Sequence, residues 1–120
     1  MKVSCHCGAV ELDIDLAKSD PIEDARRCDC SFCARRQAAN ITVPQDALSV
    51  VKGADHLSMY QWGTNRAEHY FCEICGIYTH HRRYSDTSVF GVNVGCIEGI
   101  NTRDLEPLSY VDGRSYSKAP

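Results

Sequence analysis

The chain has 120 residues, 43% of them apolar and 24% charged, with thirteen basic residues against sixteen acidic ones and a net charge of −3. That length is one domain's worth, so residues 1–120 are expected to fold as a single unit. The acidic balance excludes broad nucleic-acid binding and an anionic membrane surface as the main partner, since both need a basic footprint.

The N-terminal stretch Met1-Lys2-Val3-Ser4-Cys5 lacks the apolar core of a secretory leader. No apolar run approaches the roughly 20 residues of a membrane span, so the expected compartment is the cytoplasm. From Gly8 to Leu16, Val10, Leu12, Ile14 and Leu16 alternate with Glu11, Asp13 and Asp15. A period of two predicts a half-buried strand, punctuated by Ser19-Asp20-Pro21. Ala25 to Cys28 reads as a short strand, and Ser31 to Gln37 as one helical turn capped by Ser31. Asn40 to Val43 predicts a strand ended by Pro44. Ala47 to Val51 and His56 to Trp62 predict two more, separated by Lys52-Gly53-Ala54-Asp55. Ala67 to Phe71 leads into a cysteine cluster. Ile77 to Tyr84 and Val89 to Ile97, rich in β-branched and aromatic residues, are further strands. Asp104 to Pro107 is a short turn or a single helical turn, and the polar tail from Val111 onward is expected on the surface. Many short strands without a long amphipathic helix predict a mainly β domain.

Eight cysteines are many for this length, and they fall in three tight clusters: Cys5-His6-Cys7-Gly8, Cys28-Asp29-Cys30-Ser31-Phe32-Cys33 and Cys72-Glu73-Ile74-Cys75-Gly76. Reduced clustered thiols point to a metal rather than to disulfides. Zinc takes four tetrahedral donors in a structural site, and a glycine after the second cysteine permits the tight turn. Cys5, Cys7, Cys72 and Cys75 therefore close one site and tie the N-terminal segment to the middle of the chain. Cys28, Cys30 and Cys33 stand apart. Three protein ligands with an open position mark catalytic zinc, yet Cys96, His6, His80 or His81 can complete a second closed site. Cys96 lies within an alternating apolar run, where a free cysteine serves as a small buried hydrophobe. Spacing alone leaves both readings open.

Taken in order, these stretches resemble the family of glutathione-dependent formaldehyde-activating enzymes, which includes centromere-protein-V-like proteins. The matching residues are Cys5 to Val10, Cys28 to Cys33, and Phe71 to Gly76. The resemblance implies an Mss4-like β-tent of short antiparallel strands. It also implies two zinc ions per chain, a structural one on Cys5, Cys7, Cys72 and Cys75 and a catalytic one on Cys28, Cys30 and Cys33. The implied activity is condensation of glutathione with formaldehyde to S-(hydroxymethyl)glutathione, a carbon–sulfur lyase reaction in reverse. The expected partners are thus a small thiol such as glutathione and a small carbonyl compound.

On this reading Arg35 and Arg36, directly after the triplet, are the first candidates to orient the carboxylates of glutathione. His80 and His81 point to opposite faces of a strand, so at most one serves a given site. Tyr78, Tyr84 and Trp62 are candidates to line a pocket, whereas nothing singles out His56 or His69. Two other functions compete with the enzyme. A zinc-stabilised binding module would have two closed sites, and a thiol or metal sensor would lose zinc from an exposed triplet on mild oxidation.

Overall fold

The computed structural model describes residues 1–18 and 24–116. Within them, ten strands and one short α-helix follow in chain order: β1 (Lys2–Ser4), β2 (Glu11–Ile14), β3 (Arg27–Cys28), α1 (Ser31–Arg36), β4 (Asn40–Pro44), β5 (Leu48–Lys52), β6 (Leu57–Tyr60), β7 (Glu68–Cys72), β8 (Tyr78–Arg82), β9 (Val89–Asn93) and β10 (Tyr110–Val111). Three sheets form: β1-β2-β5, the pair β10-β3, and the larger β4-β9-β8-β7-β6. All pairings are antiparallel except β10 with β3, which is parallel. The mainly β expectation holds. Among the described residues no helix is long and apolar enough to cross a membrane.

The core lies between the two larger sheets. The alternation seen in β2 buries Leu12 and Ile14 and leaves Asp13 in solvent. They meet Val3 of β1, Ile41 and Val43 of β4, Val92 of β9 and the following Val94, all at most 1% exposed. Each such aliphatic side chain contributes about 1.5–3 kcal/mol by leaving water. Gly53, at φ 79°, lies flush against the Ala9 backbone, where any Cβ would collide with the Ala9 carbonyl oxygen. That contact seats the β5–β6 connection against the first cysteine turn.

Several elements depart from the expected boundaries. β1 has a single inward apolar residue, Val3, too little for an alternation signal. The run from Val89 leaves the strand after Asn93 and turns into a short 3-10 segment, Val94–Cys96, because the Asn93 side chain accepts from Gly95 N–H at 3.0 Å. Cys96 is therefore in a turn, not in a strand. Helix α1 is capped by Cys30 rather than Ser31: the Cys30 sulfur accepts from Cys33 N–H at 3.3 Å. The segment from Val111 does not simply lie on the surface. Tyr110 and Val111 pair with Arg27 and Cys28, and Gly113 is buried. Ser19-Asp20-Pro21 and the last four residues lie outside the described residues.

Candidate functional site

Two tight turns bring the first sulfur group together. Cys5 N–H bonds the Val10 carbonyl at 3.1 Å, closing a loop whose Gly8 sits at φ 82°. The second turn closes with Gly76 N–H on the Cys72 carbonyl at 2.8 Å and Gly76 at φ 78°. β7 carries Cys72 into the core, wholly buried, while Cys7 remains exposed. Cys7 Sγ lies 3.7 Å from both Cys5 Sγ and Cys72 Sγ. All four sulfurs of Cys5, Cys7, Cys72 and Cys75 lie within 4.8 Å of one another, a set that can hold a metal ion. The backbone N–H of Cys7, with that of Ile77, draws the Cys75 thiol down to about 6.

The second group is built from β3 and α1. Cys28 ends β3, Cys30 caps α1, and Cys33 points inward from its first turn. Their sulfurs also lie within 4.8 Å of one another, and no histidine, carboxylate or further cysteine among the described residues joins them. Hydrogen bonds from the Cys28 and Cys33 thiols hold Cys30 well below the ordinary thiol range, whereas the same contacts push Cys33 up. The three cysteines interact closely with one another, and each offers a sulfur to one ion. A soft, anionic donor set of this kind fits zinc.

The remaining sequence candidates fall elsewhere. Cys96 is buried, its thiol donates to the Tyr78 carbonyl at 3.4 Å, and burial pushes it up to about 11. His6 is exposed on the first cysteine turn and His56 bonds Glu73 at 3.2 Å. His80 stacks on Tyr70 at 4.7 Å, on the side of the sheet away from His81. Arg35 is exposed and bonds its own helix at the Ser31 carbonyl. Arg36 does reach the site. Its guanidinium lies 3.6 Å from the centre of the Tyr78 ring, 3.5 Å from Cys33 Sγ and 3.2 Å from His69 Nδ1.

A cavity of about 450 Å³ opens beside the triplet, and Cys28, Cys30 and Cys33 form part of its wall. Its size is that of a small-molecule site. Trp62 and Tyr84 line it as expected, whereas Tyr78 does not. The lining also includes His69, Arg83 and Arg26, which the sequence does not single out. Arg83 Nε and Nη2 are buried with no hydrogen-bond partner among the described residues, and Arg26 Nε is in the same condition. A third arginine, Arg27, is neutralised by Glu106 at 2.6 Å. Buried guanidinium N–H groups without acceptors are costly, and arginine stays charged even when burial draws it down, as it does here for Arg83. The wall therefore favours an anion.

Comparison with known proteins agrees with this geometry. A crystal structure of a Rhodobacter sphaeroides protein is 50% identical, covers 92% of this chain and all of its own, and superposes with a TM-score of 0.88. A Halomonas elongata protein named "Putative glutathione-dependent formaldehyde-activating enzyme" is 37% identical over 81 residues, or 60% of this chain. The match spans 49% of that protein, so the chain corresponds to about half the length of this relative. The sequence pattern of the family described as glutathione-dependent formaldehyde-activating enzyme matches residues 1–111. The chain belongs to the family of glutathione-dependent formaldehyde-activating enzymes.

Proposed function

We propose that this chain is a zinc-dependent enzyme that joins a carboxylate-bearing thiol of the glutathione type to formaldehyde, a carbon–sulfur lyase reaction run in the direction of synthesis. The observation that carries this reading is the opening of a three-sulfur cluster onto a cavity walled by Arg83, whose buried Nε and Nη2 have no acceptor among the described residues. Cys5, Cys7, Cys72 and Cys75 would hold a structural zinc, and Cys28, Cys30 and Cys33 a second one. Zinc at the triplet would supply a cation that favours thiolate over thiol near neutral pH.

The chain's own residues would do the rest. Arg83, with Arg26 beside it in the wall, would draw in the carboxylate of the thiol and orient its sulfur toward the triplet. On this reading they take the orienting role that the sequence suggested for Arg35 and Arg36. Trp62 and Tyr84 would narrow the cavity and exclude water from the reacting carbon. The reaction balances simply. The sulfur of the thiol bonds to the carbon of formaldehyde, and the π pair of the carbonyl moves to oxygen. The proton released by the thiol ends on that oxygen, and the product is the S-hydroxymethyl adduct.

The test is to follow formation of the adduct by NMR exchange with zinc-loaded protein, glutathione and formaldehyde. Acceleration over the uncatalysed rate, lost in Cys30→Ser, supports the reading. A rate equal to the uncatalysed one in both proteins removes it. A second ion held by four protein donors in the zinc-loaded protein would instead favour the binding module.

A further inference from the structure

Two imidazoles stand face to face near the triplet. His69 of β7 and His81 of β8 are register partners, with ring centres 5.2 Å apart and planes 19° from parallel. Both line the cavity. Their outer nitrogens are not equivalent, because each inner nitrogen has a partner that dictates its proton.

His81 Nδ1 lies 2.6 Å from the Tyr78 hydroxyl. That hydroxyl has one proton and gives it to Asn40 Oδ1, also at 2.6 Å. Its oxygen must therefore accept from His81 Nδ1–H, which leaves His81 Nε2 as a bare lone pair. His69 is fixed the other way. Arg36 Nη1 lies 3.2 Å from His69 Nδ1, and a guanidinium can only donate. Nδ1 accepts, so the proton of the neutral ring resides on Nε2. Burial and the Arg36 charge both disfavour a second proton.

His69 is 6% exposed, and Nε2 has no hydrogen-bond partner among the described residues. The ring borders two cavities, and Arg36, whose Nη2 lies 3.5 Å from Cys33 Sγ, lines the second of them. His69 lines the cavity that holds Cys28, Cys30 and Cys33, and with Nδ1 engaged by Arg36, Nε2 is the ring nitrogen left to meet a molecule bound there. Trp62 stacks at 6.5 Å and 8°, and Phe32 lies 4.5 Å away, so the ring has little freedom to flip.

We propose that His69 Nε2–H donates a hydrogen bond to the carbonyl oxygen as the carbon–sulfur bond forms, and that Arg36 is the positioning residue that holds the ring in this tautomer. This inference rests on the function proposed above. As sulfur attacks carbon, the π pair gathers on oxygen, and a preset donor stabilises that charge more than it stabilises the neutral carbonyl. His69 keeps its proton throughout. The proton lost by the thiol reaches the oxygen through water. His81 cannot take this role, since its outer nitrogen accepts rather than donates.

The test compares His69→Phe with His69→Gln in the zinc-loaded protein. Phe keeps a ring for the stack but has no donor, whereas Gln places an N–H close to where Nε2 was. His69→Phe is expected to lower kcat by roughly 10²–10³ with little change in the KM for the thiol. His69→Gln is expected to recover at least about a tenth of the wild-type value. Nitrogen-15 NMR of the histidine rings gives a readout independent of turnover. The expected pattern is a protonated Nε2 and a bare Nδ1 at His69, with the two tautomers mixed in Arg36→Met.

Wild-type kcat in His69→Phe, equal loss in both variants, or a proton found on His69 Nδ1 would each overturn the inference and leave the proposed reaction standing. A wild-type protein inert toward thiol and formaldehyde would remove the reaction, and this inference with it.

Discussion

Asp29 Oδ1 accepts from the backbone N–H of Gly113 at 2.8 Å, so a carboxylate set between two clustered cysteines pins the segment that follows β10. Arg114 N–H reaches the same oxygen at 2.9 Å. Gly113 is packed so closely that a Cβ there would collide with Cys28 Sγ. Gly113→Ala should therefore displace Cys28 and empty the second metal position while leaving the first filled. Metal analysis should fall by one ion per chain, and denaturant unfolding should show a loss of about 1–3 kcal/mol. Two ions retained at full affinity would contradict this.

The two cysteine groups should differ in what their loss destroys. Cys72 is wholly buried in the core and joins β7 to the first cysteine turn. Cys72→Ser should cost a large part of a stability that is only about 5–15 kcal/mol in total, because a structural zinc supplies folding free energy directly. Cys30→Ser should keep the far-ultraviolet dichroism of the wild type and lose activity. Thermal melts of the two variants side by side check the contrast.

Arg83 should govern the choice of thiol. A charged hydrogen bond is worth about 1.5–3 kcal/mol, or roughly a 10–100-fold change in binding. Arg83→Met should raise the KM for glutathione by that factor and leave the rate with glutathione diethyl ester unchanged. Binding of S-methylglutathione, measured by calorimetry, should weaken in parallel. Equal losses with acid and ester would show that Arg83 does not read the carboxylate.

His80 should make the fold acid-sensitive. It is 4% exposed, its Nδ1 meets Thr79 Oγ1 at 2.9 Å, and its ring is stacked on Tyr70 with the edge of Phe90 against it. Burial holds it down to about 4, against about 6.5 in an unfolded chain. Between those values the unfolded state binds the extra proton, so stability is complete above about pH 6.5 and falls as pH drops toward 4. The share of His80 in the slope is about 1.4 kcal/mol per pH unit. His80→Gln should flatten urea-derived stability over that window by the equivalent of one proton.

The sequence exposes the parts of this protein that depend on local spacing. Cys-x-Cys and Cys-x-x-Cys pairs followed by glycine announce their turns, and the alternation from Val10 to Ile14 announces β2. The cavity wall is a different matter. His69, His81 and Arg83 meet because β7 and β8 pair in one register, with His69 opposite His81. A one-residue slip would send those rings to the other face, and nothing local in either strand fixes that register. Arg35 draws attention by following the triplet directly, but the helical turn carries it outward to bond the Ser31 carbonyl. Arg36, one position on, rotates inward against Tyr78. The cap of α1 falls on Cys30 rather than Ser31 because the Cys30 sulfur accepts the Cys33 N–H, as a serine oxygen would.

Gly91 is the β9 residue paired with His81, and a Cβ there would lie on the His81 imidazole. The missing side chain makes a slot one ring thick between neighbouring strands. Even a methyl group would have to evict the imidazole, and the Tyr78 hydroxyl, which gives its proton to Asn40, would lose the N–H it accepts from His81. A position with no chemistry of its own thus keeps the imidazole where Tyr78 can fix its tautomer. The damage done by Gly91→Ala would be measured better by tautomer spectroscopy than by melting temperature.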